Sequence, residues 1–137
     1  MLITTTAVQS RYPDCDKMGI VHHAVYPLWY EIARMDWLEA AGLTFARLQS
    51  LGINPTMVEL KLNYRKPAGF PQTLCCTVSP ELAAPKKLAL LYSLKNEAGE
   101  LIGEARSFHI WTGSDGKSCD LSVLQPELYA LLQAAVS

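Results

Sequence analysis

Residues 11–34 read RYPDCDKMGIVHHAVYPLWYEIAR, and the fold turns on where this stretch changes character. From Arg11 to His23 it holds a proline, two aspartates flanking Cys15, a glycine and two adjacent histidines. These are turn formers and polar side chains with no regular period. From Val25 onward the pattern is helical: Val25, Leu28, Trp29, Ile32, Ala33, Trp37, Ala40 and Ala41 recur at three- and four-residue spacing. Pro27 falls in the first turn, where its missing N–H costs nothing, and Gly42 supplies a stop. The spacing predicts a helix over about 24–41. Met35 and Leu38 widen its apolar stripe, so it is expected to be mostly buried, with Glu31, Arg34, Asp36 and Glu39 on or near its wetter side. A helix start offers unpaired backbone N–H groups and the positive end of a dipole. Asp14 and Asp16, just upstream, offer a base or a nucleophile.

Outside this stretch the period is two. Residues 2–10 are rich in β-branched side chains and read as a first strand. Phe45 to Leu51 reads as a short helical piece closed by Gly52. In residues 56–66, Val58, Leu60, Leu62 and Tyr64 share one face. Residues 72–79 (Leu74, Cys76, Val78) and 87–95 (Leu88, Leu90, Tyr92, Leu94) form two more strands, separated by a Pro80–Pro85 loop. Asn96 to Gly99 is a turn. Residues 100–112 form a last strand with Ile102, Phe108 and Ile110 on one face, and residues 126–135 fit a terminal helix. Segregated helical and strand patterns with short connections indicate an α+β fold: an antiparallel sheet packed around or against one long helix.

The chain has 137 residues, which predicts a single domain over 1–137 with a core that needs no staples. Twelve basic and 13 acidic residues leave a formal charge of −1, without the basic footprint of a nucleic-acid binder. No apolar run approaches the ~20 residues that span a bilayer. Cys15, Cys75, Cys76 and Cys119 contain no C-x-x-C spacing, and free thiols in a reducing cytoplasm are expected. A cytoplasmic protein without membrane insertion follows from this reading.

Tyr12, Asp14, Asp16, His22 and His23 crowd within twelve residues. On residue types alone three readings stand: solvated loop residues that make turn bonds, a metal site from the aspartates and histidines, and catalysis by a carboxylate at a helix start. Adjacent histidines chelate poorly and match no standard zinc spacing, so no metal is assigned. There is no G-x-S-x-G elbow, no phosphate-binding G-x-x-x-x-G-K-[ST] and no H-E-x-x-H. Cys15 lies between two carboxylates, which disfavours a thiolate nucleophile.

Tyr12, Asp16, Gly19, Ile20, Val21, His23, Tyr26, Trp29, Glu31, Ala33 and Arg34 together resemble the signature of the 4-hydroxybenzoyl-CoA thioesterase family of hotdog-fold acyl-CoA thioesterases. Element order and length agree along nearly the whole chain. The resemblance implies a hotdog fold, with the sheet wrapped around the long helix. It also implies homodimers, often paired into tetramers, with active sites at the dimer interface. It makes Asp16 the catalytic carboxylate and the backbone N–H of His23 the group that polarises the thioester carbonyl. It makes Gly19 the glycine that shapes the loop, and Tyr12 and the His23 side chain assisting groups. His22 and Val21 become pocket wall. Tyr26, Trp29, Tyr30 and Trp37 on the helix are candidates for the acyl pocket, with core packing as their alternative. Arg65, Lys66, Lys86 and Lys87 are candidates for the coenzyme A phosphates, with a solvated face as theirs.

The function expected is hydrolysis of an acyl-CoA thioester without a cofactor, Asp16 attacking the carbonyl or activating a water. Two alternatives stay open. A hotdog 3-hydroxyacyl dehydratase would rely on His23 with Glu31. A non-catalytic acyl-thioester binding subunit would keep the pocket without turnover.

Overall fold

The computed structural model describes residues 1–137. Strand β1 (Thr4–Gln9) leads through the Asp16 loop to a 3₁₀ turn (His23–Val25), which runs directly into helix α1 (Tyr26–Ala41). Helix α2 (Phe45–Leu51) follows, then strands β2 (Asn54–Tyr64), β3 (Thr73–Ala83), β4 (Lys87–Asn96) and β5 (Leu101–Thr112), and finally helices α3 (Leu121–Leu124) and α4 (Pro126–Val136). The five strands form one antiparallel sheet in the order β1-β3-β4-β5-β2. Helix α1 lies across it. Its Tyr30, Ala33, Trp37 and Leu38 pack with Leu74, Cys76 and Val78 of β3 and Leu88, Leu90 and Leu94 of β4 in a single core, which Leu121, Leu128 and Leu132 of the C-terminal helices close. No helix is long and apolar enough to cross a membrane.

Five details differ from the reading of the sequence. Strand β3 continues through Pro80 to Ala83 where a loop was expected. β1 pairs β3 only as far as Val78, so the missing N–H of Pro80 falls on a free edge, and a bulge between Pro80 and Leu82 absorbs the irregularity. In β5 the buried face is Gly103, Ala105, Ser107, His109 and Trp111, not the set containing Phe108 and Ile110. The β4–β5 register shifts beside Ile102, so Ile102 and Gly103 are both buried and every later side chain changes face. A Cβ at Gly103 would meet Tyr30 Oη at 3.0 Å, which is why this bulge carries no side chain. Leu28 and Ile32, expected in the buried stripe, are 59% and 49% exposed. The short helix α3 was not anticipated; Asp120 caps it by accepting from the N–H groups of Ser122 and Val123.

Arg34 is the fifth. It was placed toward the wetter side of α1, yet it is buried. Its Nη2 pairs with Glu31 at 2.7 Å and its Nη1 donates to Tyr92 Oη at 3.3 Å. Tyr92 Oη bonds Ser107 Oγ at 2.7 Å, Ser107 Oγ bonds His109 Nε2 at 2.8 Å, and His109 Nδ1 bonds the Pro55 carbonyl at 3.1 Å. The ends set the direction of this chain. The Pro55 carbonyl only accepts, so His109 Nδ1 carries the proton; burial pushes the His109 pKa down to about 4, which keeps the ring neutral. Nε2 therefore accepts from Ser107, Ser107 accepts from Tyr92, and Tyr92 accepts from Arg34. Every member of this buried chain is satisfied.

Candidate active site

The loop before α1 is tied down from both sides. Asp14 is buried and takes three bonds from Arg11: the backbone N–H at 3.0 Å, Nε at 3.2 Å and Nη2 at 2.9 Å. The Arg11 guanidinium holds the Asp14 carboxyl below the usual range. The loop then folds back on itself, with Asp16 N–H donating to Ile20 O at 2.8 Å and His22 N–H to Asp14 O at 2.8 Å. Gly19 turns the chain at φ +76°, where L side chains are strained, and its N–H donates to Asp16 O at 3.1 Å. Val21 N–H donates to Ala68 O at 2.8 Å, pinning the loop to the segment after β2.

The two aspartates thus have different occupations. Both oxygens of Asp14 are committed to Arg11. Asp16 accepts one bond, from Met18 N–H to Oδ1 at 2.8 Å, and Oδ2 carries none within the chain. It is a half-exposed carboxylate with capacity to spare, held in place by its own turn.

The helix start has a similar asymmetry. His22 caps the turn: its Nδ1 accepts from Ala24 N–H at 3.1 Å, and its carbonyl accepts from Val25 N–H at 3.0 Å. Among the loop, turn and cap bonds, the N–H of His23 makes none. On its other side, His23 is anchored by the hydroxyl of Tyr64, which donates to the His23 carbonyl at 2.8 Å. Tyr64 in turn meets Tyr26 edge-on, ring centroids 4.9 Å apart. Burial pushes both phenols up, so Tyr64 stays a donor.

Asp16, Val21, His23, Tyr26, Arg65 and Lys66 come together in one cleft of about 340 Å³, completed by Ile20, Tyr64 and Pro67. Tyr12 and Gly19 border a second opening of about 480 Å³, on which Asp16 also stands; Tyr12 is 78% exposed, its ring against Phe70. His22 is used up as a cap and stacks on His23 at 4.1 Å, outside the first cleft. Trp29 is buried behind Tyr26, 5.2 Å between ring centroids, as a core residue. Arg65 Nε donates to Glu104 Oε1 at 2.8 Å, and Lys66 pairs with Glu100. No group of three or more His, Cys, Asp or Glu side chains gathers into a metal-holding cluster. The sequence reading gave Ile20, Tyr64 and Pro67 no role in the site, Ile20 only a place in the signature. The one signal for Tyr64 was its position at the end of a strand, directly before Arg65, Lys66 and Pro67. A carboxylate with a free oxygen and an uncommitted N–H on one cleft suit attack on a carbonyl whose oxygen becomes an anion.

Comparison with known proteins identifies the family and the fold. Residues 18–102 match the model of the thioesterase superfamily. A Bacillus subtilis (strain 168) protein named "Putative acyl-CoA thioesterase YneP" is 30% identical over 110 residues, covering 80% of each chain. Among solved structures, a DHNA-CoA thioesterase from Staphylococcus aureus superposes with a TM-score of 0.89 at 29% identity, covering 98% of this chain and 93% of that one. A hypothetical protein from Thermus thermophilus, TT1821, does so with a TM-score of 0.89 at 30% identity, covering 96% and 98%. With the family match over residues 18–102, the five-stranded antiparallel sheet and the long helix, the chain belongs to the thioesterase superfamily and carries its hotdog fold.

Proposed function

We propose that this thioesterase hydrolyses acyl-CoA, with Asp16 as nucleophile or general base and the His23 N–H polarising the thioester carbonyl. One observation carries the reading: Asp16, with a carboxylate oxygen that has no partner in the chain, and His23, whose backbone N–H has none, line the same cleft. Attack on the carbonyl makes a tetrahedral oxyanion, and a single preorganised donor to such an oxygen lowers the barrier by about 3–4 kcal/mol. Asp16 attacks directly, giving a mixed anhydride that water opens, or removes a proton from the attacking water. Coenzyme A leaves as a thiolate and needs no strong acid. Tyr12, which shares an opening with Asp16, and the His23 ring assist. Gly19 shapes the Asp16 turn, Val21 and Tyr26 form wall, and Arg65 and Lys66 receive the phosphates of coenzyme A.

The same reading makes the active species a homodimer, paired further into a tetramer. The outer edge of β2 is unpaired, and Leu28, Ile32, Val58 and Tyr64 along it and along α1 are exposed. A pairing edge with adjacent apolar side chains supports association through this side.

The test is thiol release from short-chain, long-chain and aromatic acyl-CoA thioesters, DHNA-CoA among them, by wild type and Asp16→Asn in parallel. Turnover by wild type that falls about 10²–10⁴-fold in the variant is expected. Equal turnover by both would remove Asp16 from the mechanism. Absence of turnover with acyl-CoA binding retained would favour a binding subunit, and water addition to an enoyl-CoA would favour the dehydratase.

A further inference from the structure

We propose that Glu100 and Glu104 are internal counter-ions that compete with the phosphates of the substrate for Lys66 and Arg65, and so set how tightly the cleft holds the nucleotide end of a coenzyme A thioester. The proposal rests on the acyl-CoA reading above. Its starting point is that the only cations on the cleft are already taken: Arg65 by Glu104 and Lys66 by Glu100.

These acids are built in rather than incidental. The backbone N–H groups of Arg65 and Lys66 both donate to Ile102 O, at 2.9 and 3.1 Å, which fixes the two cations at the β5 bulge. Glu104 follows two residues later and lies opposite Asn63 in the β2–β5 ladder. Glu100 is held by the β4–β5 turn. Its N–H donates to Asn96 Oδ1 at 2.9 Å, and Asn96 Nδ2 donates to its Oε1 at 3.1 Å, leaving Oε2 for Lys66. Lys66 and Asn96 together hold the Glu100 carboxyl below its ordinary range.

The pairs are nonetheless replaceable. All four side chains are between 39% and 55% exposed, so water and ligand reach them. Exposed ion pairs contribute little net stability, and a phosphate offers Arg and Lys more acceptor oxygens and more charge than a carboxylate. The phosphates lie far from the reacting carbon, so binding there is the same for substrate, transition state and free coenzyme A. Counter-ions at this position loosen substrate and product alike, which raises KM and frees the site after each turnover.

The experiment carries one acyl group, the best of the panel, on coenzyme A and on pantetheine, which lacks the nucleotide phosphates. In Glu100→Gln the ratio of KM for the coenzyme A thioester to KM for the pantetheine thioester falls about two- to fivefold, and inhibition by free coenzyme A tightens by the same factor. In a Lys66→Ala background, Glu100→Gln produces no further change, because the acid acts through Lys66. Glu104→Gln behaves alike with Arg65→Ala. A ratio that stays constant or rises overturns the proposal, as does a fall that persists without the lysine. If wild type releases no thiol, the hydrolase reading fails separately; coenzyme A titrated calorimetrically into wild type and Glu100→Gln then decides, tightening supporting the counter-ion role and equal affinity sinking it.

Discussion

Two polar systems lie against helix α1, and they differ in how completely they are satisfied. At its middle, Arg34, Tyr92, Ser107 and His109 form a buried chain in which each donor has its acceptor, ending on the Pro55 carbonyl. At its start, Asp16 keeps a free oxygen and His23 a free N–H on an open cleft. A buried polar group without a partner costs roughly 1–3 kcal/mol, so the interior system had to be closed. The loop, exposed to water, could leave its groups uncommitted, and such capacity is what a reacting carbonyl can use. The same contrast separates the neighbours Asp14 and Asp16: one is consumed by Arg11, the other is not.

The largest effect that tests this contrast is the loss of about 10²–10⁴-fold in kcat for Asp16→Asn, with melting temperature unchanged, since no buried bond is lost. Fully folded protein is the required control, read by circular dichroism.

The buried chain should show itself in stability instead. His109 has its pKa pushed down to about 4 in the folded protein, against 6.5 when free. The unfolded chain therefore binds the extra proton between these values, so stability is complete above about pH 6.5, falls as pH drops toward 4, and levels below it. The full difference is about 3 kcal/mol. The groups facing the ring are Ser107 and Pro55, with the charges of Arg34 and Glu31 nearby. Urea unfolding from pH 7 to 4 reads this directly. His109→Gln should flatten that part of the profile, and a profile identical to wild type would remove His109 as its cause.

Asp14→Asn comes next. It keeps the size of the side chain but discards the charge that Arg11 meets. A lowered urea midpoint is expected, in contrast to its silent neighbour Asp16→Asn. Equal effects on stability at the two positions would dissolve the distinction between them.

Much of this was legible locally. The three- and four-residue spacing located α1, Gly42 and Gly52 marked its end and that of α2, and the alternation of apolar residues found five strands. Asp16, Val21, His23 and Tyr26 were readable as one candidate cluster because a continuous stretch carries them, and they line one cleft. What escaped depends on residues distant in sequence. Arg34 reads as a wet helix residue until Tyr92, 58 positions away, supplies its partner. The face of Phe108 and Ile110 depends on a one-residue bulge, and its one local signal, Gly103 inside the strand, does not say which face the later residues take. Tyr64 reaches His23 across 41 positions.

His22 is where the comparison between spent and unspent groups becomes finest, because it sits one residue from the unpaired N–H. The sequence suggested pocket wall; its Nδ1 is instead occupied with Ala24 N–H, closing the turn on which His23 stands. If that cap orients His23, His22→Ala should lower kcat about fivefold while leaving KM in place, matching the ~1 kcal/mol that a cap contributes. His22→Asn should restore the rate, since asparagine caps as well and offers no ring. Loss of rate in both variants would mean that the imidazole itself contacts the substrate, and would move His22 from the satisfied class of groups to the uncommitted one.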